Sequence, residues 1–171
     1  MDFIQTVDKR YSVRKYKDTP VEREKLERII KSGHGAPTAK NTNSVKVWAV
    51  TDKTVLENLK SASPCTFDAP LILVVGSDTD VEWVNERTGE SRGMMDATIA
   101  ADEMMLTAVS EGLGTCWVCL FDEQKTKAIL GIGDNIKLHC CIIVGYEADD
   151  SEPNPRHFIR KPIEEFVTYV D

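Results

Sequence analysis

Two arginines and a serine alternate in the run Arg10-Tyr11-Ser12-Val13-Arg14, close to the start of the chain. Because successive side chains of an extended segment face opposite sides, Arg10, Ser12 and Arg14 would project together. A guanidinium is a planar fork of donors that matches phosphate oxygens, and each charge-assisted hydrogen bond contributes about 1.5 to 3 kcal/mol. The spacing alone fits either a phosphate site or a solvated basic stretch, so both interpretations stay open at this point.

A second basic cluster lies near the other end of the chain, in Arg156, His157, Arg160 and Lys161. Both clusters stand out from the composition, because 21 basic against 28 acidic residues give a formal net charge of −7. An acidic balance of this kind argues against nucleic acid as a partner. The basic residues are therefore local features and not parts of a general basic surface.

The length of 171 residues fits a single domain over residues 1–171, or one half of an intertwined dimer. No apolar run reaches the roughly 18 residues that a membrane helix needs, and the first residues do not have the pattern of a signal segment. Five cysteines without a secretion signal favour reduced thiols. We therefore expect a cytoplasmic protein that has no membrane partner.

Helix signals flank the N-terminal basic run. Asp2 predicts the cap of a helix to about Lys9, whose apolar residues should be buried: Phe3, Ile4 and Val7. A capping box at residues 19–22, with Pro20 at the first helical position, predicts a second helix that ends near Gly33. The small and amide residues of 35–44 predict a surface loop or a single turn, and loops of this kind often hold ligands.

Apolar runs in the rest of the chain predict a sheet with helices on each side. Strands are expected at 45–51, 71–76, 114–120 and 138–146, with a short helix at 52–59 and an Asp122-capped helix to Leu130. Residues 93–111 predict the longest helix, buried almost all round, with Asp96 in a polar stripe and Asp102 at a subunit boundary. The conformation of residues 77–92 stays open.

The order and spacing of several motifs resemble those of the FMN-dependent nitroreductase family over nearly the whole chain. Residues 10–14 resemble its Arg-x-Ser-x-Arg run, and Ala36-Pro37-Thr38-Ala39-Lys40-Asn41 is similar to its Ala-Pro-Ser-x-x-Asn loop. Gly112-Leu113-Gly114-Thr115-Cys116-Trp117, then Phe121-Asp122, and the closing Arg160-Lys161-Pro162 complete the match.

The resemblance implies an α+β fold with a central mixed sheet flanked by helices, in an intertwined homodimer. It implies two FMN sites per dimer, each at the subunit interface, with the longest helix in the dimer core. NAD(P)H would reduce the flavin, and an oxidised small molecule such as a nitroaromatic or a quinone would then take the electrons. The flavin carries this chemistry, so the resemblance assigns no catalytic side chain and no metal.

The same resemblance assigns the cofactor-binding residues. Arg10 and Ser12 would bind the phosphate and ribityl chain together with Arg160 and Lys161. Tyr11, between the first two, is also assigned to the cofactor site. Arg14 would lie at the pyrimidine edge of the flavin ring. The remaining contacts would be Pro37, Thr38 and Asn41 from the partner subunit, and the backbone of Val118, Cys119 and Leu120 near N5 and O4.

The chain departs from the family pattern at two places near the expected ring site. Asn43-Ser44-Val45 stands where the family loop continues with Gln-Pro-Trp, which removes an aromatic wall or an interface contact. Leu120 stands where a glycine is usual, so an extra side chain would crowd the flavin or the nicotinamide. These departures leave open the acceptor and the choice between NADH and NADPH.

Two functions of other classes also stay open. A flavin-binding or storage protein would hold FMN without reductase turnover. A thiol-disulfide enzyme would use Cys116 and Cys119, which have the spacing of a dithiol motif. Residues three apart in a strand face opposite sides, so buried structural cysteines are favoured. A zinc site that adds His139, Cys140 and Cys141 is not expected, since no turn residues flank them.

Overall fold

The computed structural model describes residues 2–170, in which helices cover both faces of one sheet. The strands β1 to β4 are Val45–Val50, Leu71–Asp78, Gly114–Val118 and Ile136–Gly145. The helices α1 to α6 are Phe3–Lys9, Arg23–Gly35, Lys53–Leu59, Gly93–Ser110, Glu123–Leu130 and Ile163–Phe166. Short 3-10 helices span Ala39–Asn41 and Pro155–Phe158. Met1 and Asp171, the ends of the predicted domain, lie outside the described residues.

The strand order is β1-β2-β4-β3, and each neighbouring pair is antiparallel. The α+β class expected from the sequence is confirmed. The expected mixed sheet is corrected, because the four strands form an antiparallel sheet. Within residues 2–170, the one parallel pairing is an isolated bridge between Ser12 and Thr115 at the outer edge of β3. Val13 N–H donates to Thr115 O at 2.9 Å, so the N-terminal basic run is attached to the sheet through its backbone.

Strand β2 is apolar on both faces because a helical layer covers each of them. Leu71, Leu73 and Val75 pack in a core with residues of α2 and α4. Ile72 and Val74 pack on the opposite face with residues of α3 and α5. A continuous apolar run is typical of a strand that is covered in this way, and the prediction made for it is confirmed.

Gly76 interrupts β2 at a point where a side chain has no room. The register between β2 and β4 shifts between Val75 and Gly76. A Cβ atom at Gly76 would lie 2.5 Å from the carbonyl oxygen of Lys137 and 3.0 Å from Cδ2 of Leu138. Because the nearer atom belongs to the backbone of the next strand, it cannot rotate away.

The predicted capping box of α2 is wrong. The helix begins at Arg23, and its N-cap residue Glu22 makes no side-chain cap hydrogen bond. The Glu22 carboxylate instead accepts a hydrogen bond from Tyr146 Oη at 2.7 Å. The other two predicted caps are confirmed, since Asp2 accepts from Gln5 N–H and Asp122 accepts from Lys125 N–H.

The apolar faces of α1 and α4 are exposed in the single chain, so their predicted burial is wrong at this level. Phe3 is 68% exposed and Met94 is 63% exposed. Helix α4 packs on α2 and the sheet with one side, and on the other side Met94, Met95 and Ile99 stay exposed in the part of the chain that the structure describes. Asp96, expected in a polar stripe, is buried. Asp102 is exposed, and its place at a subunit boundary stays a prediction.

The segment that the sequence left open turns back on itself. Val84 and Ser91 form an isolated antiparallel bridge, and Asn85 O accepts from Gly89 N–H at 2.7 Å. Arg92 N–H then donates to Trp83 O at 2.9 Å, directly before α4 begins.

Within residues 2–170, no helix has the length and apolar character that crossing a membrane requires.

Candidate functional site

The two basic clusters, far apart in sequence, meet in one open cleft of about 480 Å³ beside β3. It is lined by Arg10, Ser12, Arg14, Asn154, Arg156, His157 and Arg160, and is termed the basic cleft below. None of these lining residues is acidic. The salt bridges within residues 2–170 involve none of its four arginines. In a chain of net charge −7, such a local concentration of positive charge is typical of an anion site.

Tyr11 and Val13 anchor the N-terminal run, so that the side chains that alternate with them face the basic cleft. Val13 is buried, and Tyr11 Oη donates to Glu147 Oε2 at 2.8 Å. On the other side, Arg14 Nη1 donates to Ser12 O at 2.9 Å. The predicted alternation is therefore confirmed. Tyr11 does not line the basic cleft, and burial raises the pKa of its hydroxyl.

The C-terminal cluster enters the basic cleft through the second 3-10 helix. The Asn154 side chain caps that helix by accepting from Arg156 N–H at 3.0 Å. The ring of His157 packs edge-on against Tyr11, with 6.3 Å between the ring centroids. Arg160 lines the cleft, but Lys161 does not. Lys161 Nζ pairs instead with Glu165 Oε2 at 2.9 Å, one helical turn further along.

A second open cleft, of about 670 Å³, begins at Arg14, which lines both clefts. The other lining residues of this Arg14 cleft are Lys15, Tyr16, Lys60, Ser63, Pro64, Thr66, Phe67, Asp68, Ala148 and Asp150. An elongated ligand with a phosphate in the basic cleft would therefore extend past Arg14 toward a surface with aromatic residues. The sequence pattern did not indicate this second cleft.

The loop with Pro37, Thr38 and Asn41 lines neither cleft in the single chain. Its anchor is Ala39 N–H, which donates to Asp96 Oδ1 on α4 at 2.9 Å. Asp96 is only 3% exposed, and its second carboxylate oxygen has no partner among the described residues. The expected contribution of this loop to a site on the partner subunit stays a prediction.

Val118, Cys119 and Leu120 mark the point where the chain leaves the sheet. Val118, the last residue of β3, is buried, whereas the Leu120 side chain is 65% exposed. Cys119 is also exposed, and its sulfur accepts a hydrogen bond from Trp117 Nε1 at 3.2 Å. The prediction of a buried cysteine is therefore wrong for Cys119, because β3 ends one residue before it.

Cys116 is buried as predicted, and all five cysteines are free thiols. Burial raises the pKa of the Cys116 thiol, although the nearby Arg14 acts in the opposite direction. A raised pKa lowers the fraction of thiolate, which is the form that attacks a disulfide.

Among residues 2–170, no group of three His, Cys, Asp or Glu side chains is placed to hold a metal ion.

Sequence reasoning missed several residues of these clefts. Asn154 belongs to the basic cleft, and its position directly before Pro155 is the pattern of a capped helix start, which was the available signal. Ser63 and Phe67 line the Arg14 cleft, but they fall in a segment without periodicity. No local pattern connects them to Arg14.

The chain combines an α+β fold with a basic cleft along the edge strand of its sheet. The model of the nitroreductase family matches residues 7–66 and 59–146, which is most of the chain. The chain belongs to the nitroreductase family, and the resemblance inferred from the motifs is confirmed.

Relatives of known structure share this architecture. A nitroreductase family protein from Clostridium difficile 630 is 34% identical with a TM-score of 0.92, over 99% of this chain and 98% of that chain. An FMN-dependent nitroreductase from Clostridium difficile R20291 is 27% identical with a TM-score of 0.80, over 98% and 99%. The FMN reductase (NAD(P)H) of Bacillus subtilis is 27% identical over 173 residues, which is 91% of this chain and 70% of that protein.

Proposed function

We propose that the chain is an FMN-dependent oxidoreductase that takes a hydride from NAD(P)H and passes electrons to an oxidised small molecule, such as a nitroaromatic or a quinone. The observation that carries the proposal is the basic cleft, where four arginines and a serine meet without an acidic residue. The names of two relatives, an FMN-dependent nitroreductase and an FMN reductase, support the same chemistry.

The residues of the basic cleft fit the phosphate of FMN. Guanidiniums and a hydroxyl are the donors that phosphate oxygens accept best, and the lining includes no carboxylate that would repel them. The continuation past Arg14 leaves room for the ring end of the same molecule. The four arginines form no salt bridge within residues 2–170, and their cleft contains no carboxylate. A bound phosphate would supply the counter-charge that this lining lacks.

Each site residue then has a distinct role. Arg10 and Ser12 hold the phosphate from the N-terminal side, and Arg160 holds it from the tail. Lys161 contributes less to the phosphate site, because its ammonium group is paired with Glu165 in the single chain. When bound, FMN supplies the hydride-accepting chemistry. Arg14 lies at the pyrimidine edge, where a fixed positive charge stabilises the negative charge that develops on reduction.

We also propose that the active form is a homodimer. The exposed apolar faces of α1 and α4 support this, since large contiguous apolar patches mark interaction surfaces. Their members include Phe3, Ile4, Val7, Met94, Met95 and Ile99. In such a dimer, Pro37, Thr38 and Asn41 of one copy would contact the flavin of the other. The backbone of Val118, Cys119 and Leu120 would approach N5 and O4 from the same subunit as Arg14.

The purified protein is expected to be a yellow dimer whose colour NAD(P)H bleaches under anaerobic conditions. A quinone or a nitroaromatic compound should then restore the colour. The measurements are an absorption spectrum and the mass in solution. FMN that NAD(P)H fails to bleach would instead favour a storage protein. A colourless protein that takes up no added FMN would contradict the proposal.

Substitution of either cysteine of the Cys-x-x-Cys pair is expected to leave turnover largely intact. Cys116→Ser places a hydroxyl in the core and should lower the melting temperature, whereas Cys119→Ser changes an exposed side chain and should not. Turnover and thermal melting of both variants are the measurements. A slower flavin reduction at unchanged FMN affinity and melting temperature would show that a thiol takes part.

A further inference from the structure

Ser63 links the loop of residues 61–68 to the connection that follows β3. Its hydroxyl donates to Leu120 O at 2.6 Å and accepts from Cys65 N–H at 3.1 Å. Ser63 is only 8% exposed. Because its oxygen already accepts from Cys65, the hydroxyl proton is directed at the Leu120 carbonyl, and both hydrogen-bonding functions of the serine are satisfied.

The connection has few other restraints at this point. The ladder of β3 with β4 ends at Val118. Beyond it, Phe121 N–H donates to Cys119 O at 3.2 Å, and Asp122 N–H donates to Ala62 O at 2.8 Å. Ser63 therefore fixes the carbonyl of the Leu120–Phe121 peptide, and the Leu120 N–H, which belongs to the preceding Cys119–Leu120 peptide, has no hydrogen-bond partner within residues 2–170.

We infer that Ser63 is a positioning residue for flavin reduction, acting through the Leu120 backbone. This rests on the proposed function, in which residues 118–120 approach N5 and O4. That edge of the ring gains negative charge on reduction, so a free N–H stabilises it and a carbonyl oxygen opposes it. Ser63 keeps the carbonyl oxygen occupied and, by fixing the peptide plane that follows the Leu120 Cα, restrains the orientation of the N–H that precedes it. It also lines the Arg14 cleft, on the side where the ring would lie.

The test compares Ser63→Ala with Ser63→Thr, which keeps the hydroxyl. Ser61→Ala is the matched control, because Ser61 Oγ donates to Asn58 O at 2.8 Å in an exposed position of the same loop. The measurements on FMN-loaded protein are the single-turnover reduction rate at saturating NAD(P)H, the flavin midpoint potential and the FMN dissociation constant. Melting temperatures of all variants report any loss of folding.

Ser63→Ala is expected to slow reduction roughly tenfold, the effect of one misplaced donor, and to lower the midpoint potential while FMN affinity changes less than about threefold. Ser63→Thr should recover most of the rate, and Ser61→Ala should match the unmodified protein. If Ser63→Ala does not fold, Ser63→Cys, with a weaker donor of similar size, should give an intermediate rate.

Two outcomes would overturn the inference. One is a Ser63→Ala or Ser63→Cys variant that reduces at the unmodified rate with an unchanged potential. The other is a Ser63→Thr variant as slow as Ser63→Ala, since the hydroxyl would then not be the group that acts. Failure of the proposed function is distinguishable from both, because the unmodified protein would then itself bind no FMN or resist reduction by NAD(P)H.

Discussion

Arg10→Ala is expected to weaken FMN binding by roughly ten- to one hundredfold, the loss of one charge-assisted contact. The holoenzyme that remains should be reduced at a near-normal rate, because a phosphate contact is equally strong in oxidised and reduced flavin. Arg14→Gln is expected to affect the reduction of the flavin more than its binding. It should retain much of its FMN but lower the midpoint potential and slow reduction, since it removes a charge placed beside developing negative charge.

Protein reconstituted with excess FMN separates the two roles. FMN affinity, midpoint potential and single-turnover reduction rate are measured for both variants. Lys161→Ala is a useful third variant, because its ammonium group lies outside the basic cleft and pairs with Glu165; its effect on FMN affinity should be smaller than that of Arg10→Ala. The assignment would be wrong if Arg14→Gln left potential and rate unchanged while Arg10→Ala altered both.

Gly76→Ala is expected to lower the free energy of unfolding by about 3 kcal/mol, at the upper end of the usual cost of overpacking, because the crowded backbone atom cannot rotate away. The added Cβ atom would lie 2.5 Å from Lys137 O, in the adjacent central strand. Urea denaturation measures the change. Gly35→Ala is the control, since no heavy atom lies within 4 Å of the position of its Cβ; it should stay within about 0.5 kcal/mol of the unmodified protein. Equal stability of the two variants would contradict this packing argument.

Local patterns predicted the elements whose determinants are local. The continuous apolar run of β2 and the caps Asp2 and Asp122 depend on neighbouring residues, and they were confirmed. The predicted capping box of α2 was wrong because the hydroxyl of Tyr146, 124 residues away in sequence, donates a hydrogen bond to the Glu22 carboxylate. Periodicity also identified α4 as strongly apolar, but it could not distinguish a face buried by the same chain from one left for another molecule.

The site residues also fall into those that a local pattern predicted and those that it did not. Alternation in a short run placed Arg10, Ser12 and Arg14 on one face, whereas only the family resemblance brought the tail to them. Lys161 departed from the expectation because Glu165 lies one helical turn away. Ser63 was not predicted, since its bond is to a backbone carbonyl and leaves no pattern in the residue types of either segment.

The attachment of the N-terminal run to the sheet makes the basic cleft open to redesign. Val13 N–H bonded to Thr115 O, and the burial of Val13, anchor the run. The side chains of Arg10, Ser12 and Arg14 take no part in that anchor. A library randomised at these three positions should therefore retain the fold in most members, so that ligand preference can be selected without first rebuilding the scaffold.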